Sequence, residues 1–252
     1  MCTLVILRRP GHRWPLLVAA NRDEMADRPW LPPGRHWRGQ PDVRGGLDVP
    51  AGGTWLALGD TGVLAAVLNR INTLGPAPGR RSRGELPLLA LRSANAREGA
   101  AAIAAVDPHA WRSFNMIVAD AAEAFWIRAT DGSGPDDRGA AVHVEVVPPG
   151  LSMITAYDRN DLRSPRTRRY LPRFEAAATP RPEAFDWRAW IELLACRDAE
   201  AAAGPGGAMT VVTATGFGTV SSSLLALPAD GSPRWWFAAG RPGESRFETV
   251  AD

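Results

Sequence analysis

The stretch Met1-Cys2-Thr3-Leu4-Val5-Ile6-Leu7, followed after a short break by Leu16-Leu17-Val18-Ala19-Ala20-Asn21-Arg22-Asp23-Glu24, decides how this chain is read. Residues 3–7 are apolar and partly β-branched, which predicts a strand. Pro10 and Gly11 mark a turn within 9–14, and 16–20 reads as a second strand. Two such strands form a hairpin, and a hairpin returns the polar tetrad Asn21-Arg22-Asp23-Glu24 to the neighbourhood of Cys2.

Working outward, residues 21–50 are rich in Pro, Arg and Trp and read as irregular chain. Strands are expected at 55–58 and 63–68 across the turn Gly59-Asp60-Thr61-Gly62, and a loop at 71–82. Residues 84–106 carry Leu, Ala and Ile at helical spacing and predict one or two helices, ended by Pro108. Strands follow at 114–119 and 124–127, a polar turn at 132–139, and a strand at 142–147. Helices are expected at 165–177 and 187–203, the second broken by 204–207, and closing strands at 209–214, 221–227 and 234–238. The order is neither alternating βα nor all-β. It predicts an α+β fold with two antiparallel sheets and helices outside them, in one domain spanning 1–252.

Composition narrows the function classes. In 252 residues there are 29 basic and 27 acidic side chains, and every basic one is arginine. The net charge of +2 is no polyanion-binding surface, and no glycine-rich phosphate loop or aromatic-interleaved basic motif points to nucleic acid. Without lysine, Schiff-base and lysine-base mechanisms are closed. No apolar run approaches the eighteen or so residues of a membrane-spanning helix, and no secretion signal is read at the start. Two cysteines, Cys2 and Cys196, cannot build a disulfide framework and read as free thiols in a reducing compartment, the cytoplasm. The four histidines, His12, His36, His109 and His143, have no metal-ligand spacing, so neither a metal nor an obligatory cofactor is expected.

Cys2 carries the chemical interest. Once Met1 is removed, it holds a thiol and a free α-amine on one residue. The amine titrates near ~7.7–8.0 and the thiol near ~8.5, so nucleophile and base are both at hand. The alternative is an incidental small, apolar cysteine. In the tetrad, Asp23 can hold the amine, Arg22 can lower the thiol pKa or meet an anion, Asn21 can orient either group, and Glu24 can pair with the arginine. The alternative there is a solvated turn. Cys196, beside Leu193 and Leu194, reads as structural.

The ordered set Met1-Cys2-Thr3, Ala19-Ala20-Asn21-Arg22-Asp23-Glu24, Gly53-Thr54-Trp55-Leu56, Leu64-Ala65-Ala66-Val67-Leu68-Asn69-Arg70, Ser82-Arg83-Gly84-Glu85-Leu86, Phe114-Asn115-Met116-Ile117 and Gly218-Thr219 resembles the NRDE family, whose animal members are named for transport and Golgi organisation. That family is similar to amino-terminal nucleophile hydrolases of the penicillin V acylase and bile salt hydrolase type. The resemblance implies a four-layer αββα sandwich, two antiparallel sheets between helical layers. It implies cleavage of a small amide, with Cys2 as nucleophile, Asp23 holding its amine and Asn69 donating to the oxyanion.

The departures are specific. The hydrolases have an arginine where this chain has Ala20, with Arg22 at the variable position of the motif. No asparagine occurs in 151–156, so Thr155 or Ser152 would have to donate. The late arginine is absent from Gly218-Thr219-Val220-Ser221-Ser222-Ser223, which offers only hydroxyls. The animal members are also linked to haem and to acyl or lipid handling, which makes a non-catalytic module for haem or an acyl ligand the alternative, with Cys2 or a histidine as the axial ligand.

Among the secondary features, Arg159, Arg163, Arg166, Arg168, Arg169 and Arg173 form a dense basic stretch, either a solvated helix face or a site for a phosphate-bearing moiety such as that of CoA. Trp14, Trp30 and Trp37 lie near the tetrad in sequence; Trp30 and Trp37 are candidate walls for an apolar or planar ligand, and Trp30 and Trp55 candidate substrate contacts. Trp111, Trp126, Trp187 and Trp190 read as core.

Overall fold

The computed structural model describes residues 2–132 and 139–251. The chain divides into two compact units, residues 2–28 with 149–251, and residues 29–148.

The first unit is built on a six-stranded antiparallel sheet. Its strands are β1 (Thr3–Arg8), β2 (Leu16–Met25), β10 (Gly150–Ile154), β11 (Phe217–Leu227), β12 (Arg234–Ala238) and β13 (Glu248–Thr249), in the order β10-β1-β2-β11-β12-β13. The expected hairpin is present, with Leu7 opposite Leu17 and Thr3 opposite Asn21. Helices α3 (Pro165–Ala176) and α4 (Arg188–Ala195) lie on one face. There Val5, Leu17, Ala19, Leu224 and Ala226 pack against Tyr170, Phe174, Trp190 and Leu194. Trp14 joins this core, and its indole N–H donates to Glu183 at 2.9 Å.

The second unit is a seven-stranded antiparallel sheet in sequential order. Its strands are β3 (Trp30–Gly34), β4 (Val43–Asp48), β5 (Leu56–Gly59), β6 (Leu64–Asn69), β7 (Phe114–Ala119), β8 (Ala124–Asp131) and β9 (Ala140–Val146). The helical periodicity at 84–106 resolves into α1 (Glu85–Ala90) and α2 (Ala96–Ala104). Asn95 starts the second by accepting from the Glu98 backbone N–H at 2.9 Å. Leu86, Ala90, Ala100 and Ile103 pack on Ala65, Met116, Val118 and Ile127.

Several expectations are corrected. Residues 21–50 are not irregular: β2 runs on to Met25, and β3 and β4 follow. The tetrad therefore lies in a strand, not a turn, because β11 pairs with it from Asn21–Ser222 to Met25–Phe217. β3 carries Pro32 and Pro33, tolerable because it is an edge strand. β4 contains Gly46, where a Cβ would sit 2.2 Å from the Trp55 ring. Such a strand has no propensity signature, because close packing selects its residues.

The helix expected at 187–203 stops at Ala195. Its Leu194 carbonyl accepts from Asn21 and Thr210, which satisfies a helix end from outside. Residues 201–207 form a 3-10 segment instead. Residues 209–214 form no named strand, only a bridge between Val212 and Gly218, and β10 was not anticipated. The expected turn at 132–139 falls largely on 133–138, outside the described residues. In the basic stretch, Arg163, Arg168, Arg169 and Arg173 pair with Asp161, Glu200 and Asp198 on the surface, while Arg166 is buried.

Candidate active site

The site begins where β1 begins. Extending the β1–β2 register by one residue sets Cys2 against Arg22. The Cys2 Sγ lies 3.6 Å from the Asp23 backbone oxygen. Cys2 is a partly buried free thiol. Burial pushes the thiol up, the Asp23 carboxylate beside it adds to the shift, and Arg22 opposes it.

Side chains alternate across a strand, so the tetrad divides between two faces. Asn21 and Asp23 rise on the helix-bearing face with Val5 and Leu17, while Arg22 rises on the other. Asp23 is buried and closely held. Its Oδ1 accepts from the Thr219 hydroxyl at 2.6 Å, and its Oδ2 from Arg166 Nη1 at 3.1 Å. The Arg166 and Asp23 side chains are 3% and 0% exposed. Arg166 Nη1 also donates to the Thr3 hydroxyl, and Nη2 to the Gly206 carbonyl at 3.0 Å. Removing one member of such a buried pair strands the other charge, at about 3–5 kcal/mol.

Asn21 meets a different set of groups. Its Nδ2 donates to the Leu194 and Met209 carbonyls at 3.0 and 2.9 Å, and its Oδ1 accepts from Ser222 at 2.6 Å. The amide is saturated by this clasp, which joins β2 to the end of α4 and to β11. A regular strand could not offer both Thr219 and Ser222 to one face, because they are three residues apart. The register shift between Thr219 and Ser221 makes it possible. One extra residue in β11 keeps both hydroxyls on the helix-bearing face, the work of a β-bulge.

Glu24 lies 4.0 Å from Arg22 and 3.9 Å from Arg28. Thr155 follows β10 directly and is buried. Its hydroxyl bonds Ser164 Oγ at 3.3 Å and accepts from the Tyr157 N–H at 3.3 Å. Ser164 in turn caps α3 by accepting from the Thr167 N–H. Thr155 thus steadies the helix start that carries Arg166.

In the second unit, Asn69 ends β6, partly buried, after the apolar run 64–68. Trp30 and Trp55 form an edge-to-face pair with ring centroids 6.0 Å apart. Among the described residues, no group of three or more His, Cys, Asp and Glu side chains is placed to hold a metal ion. No described helix is long and apolar enough to cross a membrane.

Thr3, Arg166, Thr219 and Ser222 were not singled out as site residues from sequence. One signal was available for Arg166: it occupies the first turn of α3, where a cation opposes the helix dipole and needs a partner from elsewhere.

Residues 1–154 match the model of the family described as Transport and Golgi organisation 2. Over 108 residues the chain is 34% identical to the Transport and Golgi organization 2 homolog of Mus musculus, covering 42% of this chain. Over 110 residues it is 34% identical to the Transport and Golgi organization protein 2 homolog of Bos taurus, again covering 42% of this chain. The match spans 38% of the length of each relative.

Among solved structures, a Caenorhabditis elegans N-acylethanolamine-hydrolyzing acid amidase ortholog superposes with a TM-score of 0.55 at 13% identity, over 89% of this chain and 92% of that one. A cysteine-to-alanine mutant of the conjugated bile acid hydrolase from Clostridium perfringens superposes with a TM-score of 0.51 at 10% identity, over 100% and 97%. At these identities the likeness establishes the fold, an α+β sandwich of two antiparallel sheets flanked by helices.

Proposed function

The chain belongs to the Transport and Golgi organisation 2 family, and from that premise we propose that it hydrolyses a carbon–nitrogen bond of a small acylated amide through Cys2, set free at the amino terminus by removal of Met1. The observation that carries this reading is Asp23, clamped between Thr219 and Arg166 beside Cys2. The α-amine of Cys2 takes the thiol proton, directly or through one water, as sulfur adds to the amide carbonyl. The carbon–nitrogen bond breaks, the leaving amine takes that proton, and a thioester remains on Sγ. Water then adds to the thioester, the carboxylic acid leaves, and the proton returns to sulfur.

Asp23 orients the amine. An α-amine is a backbone group at the strand end, so Asp23 reaches it from the helix-bearing face while the thiol stands beside Arg22 on the other. Rival bases are scarce. The chain has no lysine, and within its own unit the single histidine, His12, sits in the turn at the far end of the hairpin, bonded to the Trp14 N–H. The substrate contacts of Glu24 and Thr155 belong to the same proposal, as does a cytoplasmic location, with which two free thiols agree.

The test is mass spectrometry. Intact mass is expected to lack Met1, and incubation with a pool of small amides and thioesters is expected to add an acyl mass at Cys2 that Cys2→Ala abolishes. A protein that has lost Met1 and forms no adduct with any member of the pool overturns the reading.

One observation favours a second reading, a non-catalytic module for an acyl or lipid ligand. The Thr155 hydroxyl, where the hydrolases place their second oxyanion asparagine, is already engaged with Ser164 and Tyr157. Acyl-ligand binding without an adduct selects this module.

A further inference from the structure

Arg166 joins the two strand ends of the site through one nitrogen. Its Nη1 donates to the Thr3 hydroxyl, on the residue that follows Cys2, and to Asp23 Oδ2 at 3.1 Å. Its Nη2 donates to the Gly206 carbonyl at 3.0 Å, which fixes the plane of the guanidinium. The side chain comes from the first turn of α3, where a cation opposes the helix dipole. Helix formation gains nothing from an arginine at that place; its partners on β1 and β2 account for it.

Each neighbouring element brings a different group to the amino end of β1. β2 brings Asp23 on the helix-bearing face, and Arg22 opposite Cys2 on the other face, 4.0 Å from Glu24. β11 brings the hydroxyls of Thr219 and Ser222 and, in its length from Phe217 to Leu227, no charged residue. Thr155 and Ala156 follow β10, and Tyr157, Asp158 and Arg159 are the next ionisable side chains after them. α3 brings Arg166, and the end of α4 and the segment 201–207 bring the Leu194 and Gly206 carbonyls. The Cys2 thiol itself completes the set.

We propose that Arg166 is a positioning residue of the Cys2 site. It ties Thr3 to Asp23, which sets the amino end of β1 against the carboxylate, and its charge offsets that carboxylate so that the α-amine of Cys2 still gives up its proton near neutral pH. The inference rests on the reading of that α-amine as the base. A carboxylate alone beside an α-amine holds it as the ammonium, which accepts no proton. A cation sharing the carboxylate weakens that pull while leaving the hydrogen bond that orients the amine. Asp23 thus aims the base, and Arg166, acting through Asp23, keeps it available to the thiol proton.

The chain has no lysine, so in protein that begins at residue 2 the α-amine is the sole aliphatic amine and titrates without interference. Such protein is made by cleaving a removable leader, with Cys2→Ala in every sample so that the thiol does not compete for reagent. Trace acetylation of the amino-terminal peptide by acetic anhydride is followed against pH, with circular dichroism on the same samples. Arg166→Met is expected to raise the amine midpoint by about one pH unit. Asp23→Asn is expected to lower it, and Asp23→Asn/Arg166→Met, which strands neither charge, to lie about one pH unit above Asp23→Asn. If Arg166→Met does not fold, this second pair decides. A structural role alone lowers the Tm and leaves the midpoint where it was. An unmoved or lowered midpoint in folded Arg166 variants, or loss of fold in both of them, overturns the inference. The expected shifts, with no acyl adduct on the protein that keeps Cys2, sink the catalytic reading alone and leave Arg166 as the residue that sets the charge of the amino terminus.

Discussion

At the scale of single residues, Cys2 is held as a thiol by two effects, burial and the Asp23 carboxylate. Its pKa is raised in the folded protein, so the proton is kept to higher pH than in the unfolded chain. The corresponding stabilisation is present below the unfolded thiol pKa and is lost as pH rises through the folded one. In protein that retains Met1, iodoacetamide alkylation of Cys2 followed against pH is expected to show a midpoint above the ordinary thiol range. Asp23→Asn is expected to lower that midpoint by removing a negative charge. A parent midpoint at or below that of free cysteine would contradict this account. The sequence made the nearness of Cys2 and Asp23 legible, because a hairpin brings its two strand ends together. It did not reveal Arg166 or Thr219, which lie 143 and 196 residues from Asp23. Long-range partners of a buried carboxylate leave no local pattern.

At the scale of elements, the legible parts were β1, the first half of β2, β6 and β7, whose apolar pattern is continuous, and α3, whose Tyr170, Leu171 and Phe174 recur at helical spacing. The parts missed owe their form to tertiary contact. The second half of β2 is polar yet extended because β11 pairs with it, and β4 is a strand that only packing against Ala57 and Trp55 can account for. The junction before β5 gives a sharper case. At Gly53 an added Cβ would lie 2.4 Å from the Gly84 carbonyl carbon and 2.8 Å from its Cα, and Thr54 N–H donates to the same Gly84 carbonyl at 2.9 Å. Backbone cannot step aside as a side chain can. Gly53→Ala is therefore expected to destabilise by about 2–3 kcal/mol in urea unfolding, whereas Gly39→Ala, with open space around it, is expected to change stability by less than about 0.5 kcal/mol. Similar losses at both positions would refute the close-approach argument.

At the scale of the whole molecule, the two units differ in how the chain enters them. Residues 29–148 are contiguous and their sheet runs in sequential order. The other unit is made from 2–28 and 149–251, and its central β2–β11 pair joins distant segments. Closing long loops slows folding. Pulse-labelled hydrogen exchange during refolding is expected to protect the amides of β6 and β7 before those of β2 and β11. Simultaneous protection of both pairs would remove the kinetic distinction.

The clasp at Asn21 has a consequence for the protein as it is made. Asn21 leaves the ribosome 201 residues ahead of Ser222, so the strand end beside Cys2 stays unclasped while those residues are made. Any transcript cut short before β11 yields Cys2 and Asp23 without the Thr219 and Ser222 hydroxyls that fix the strand beside the sulfur. A cell surveying unfinished chains would meet a thiol that behaves like that of any unstructured peptide until β11 pairs with β2.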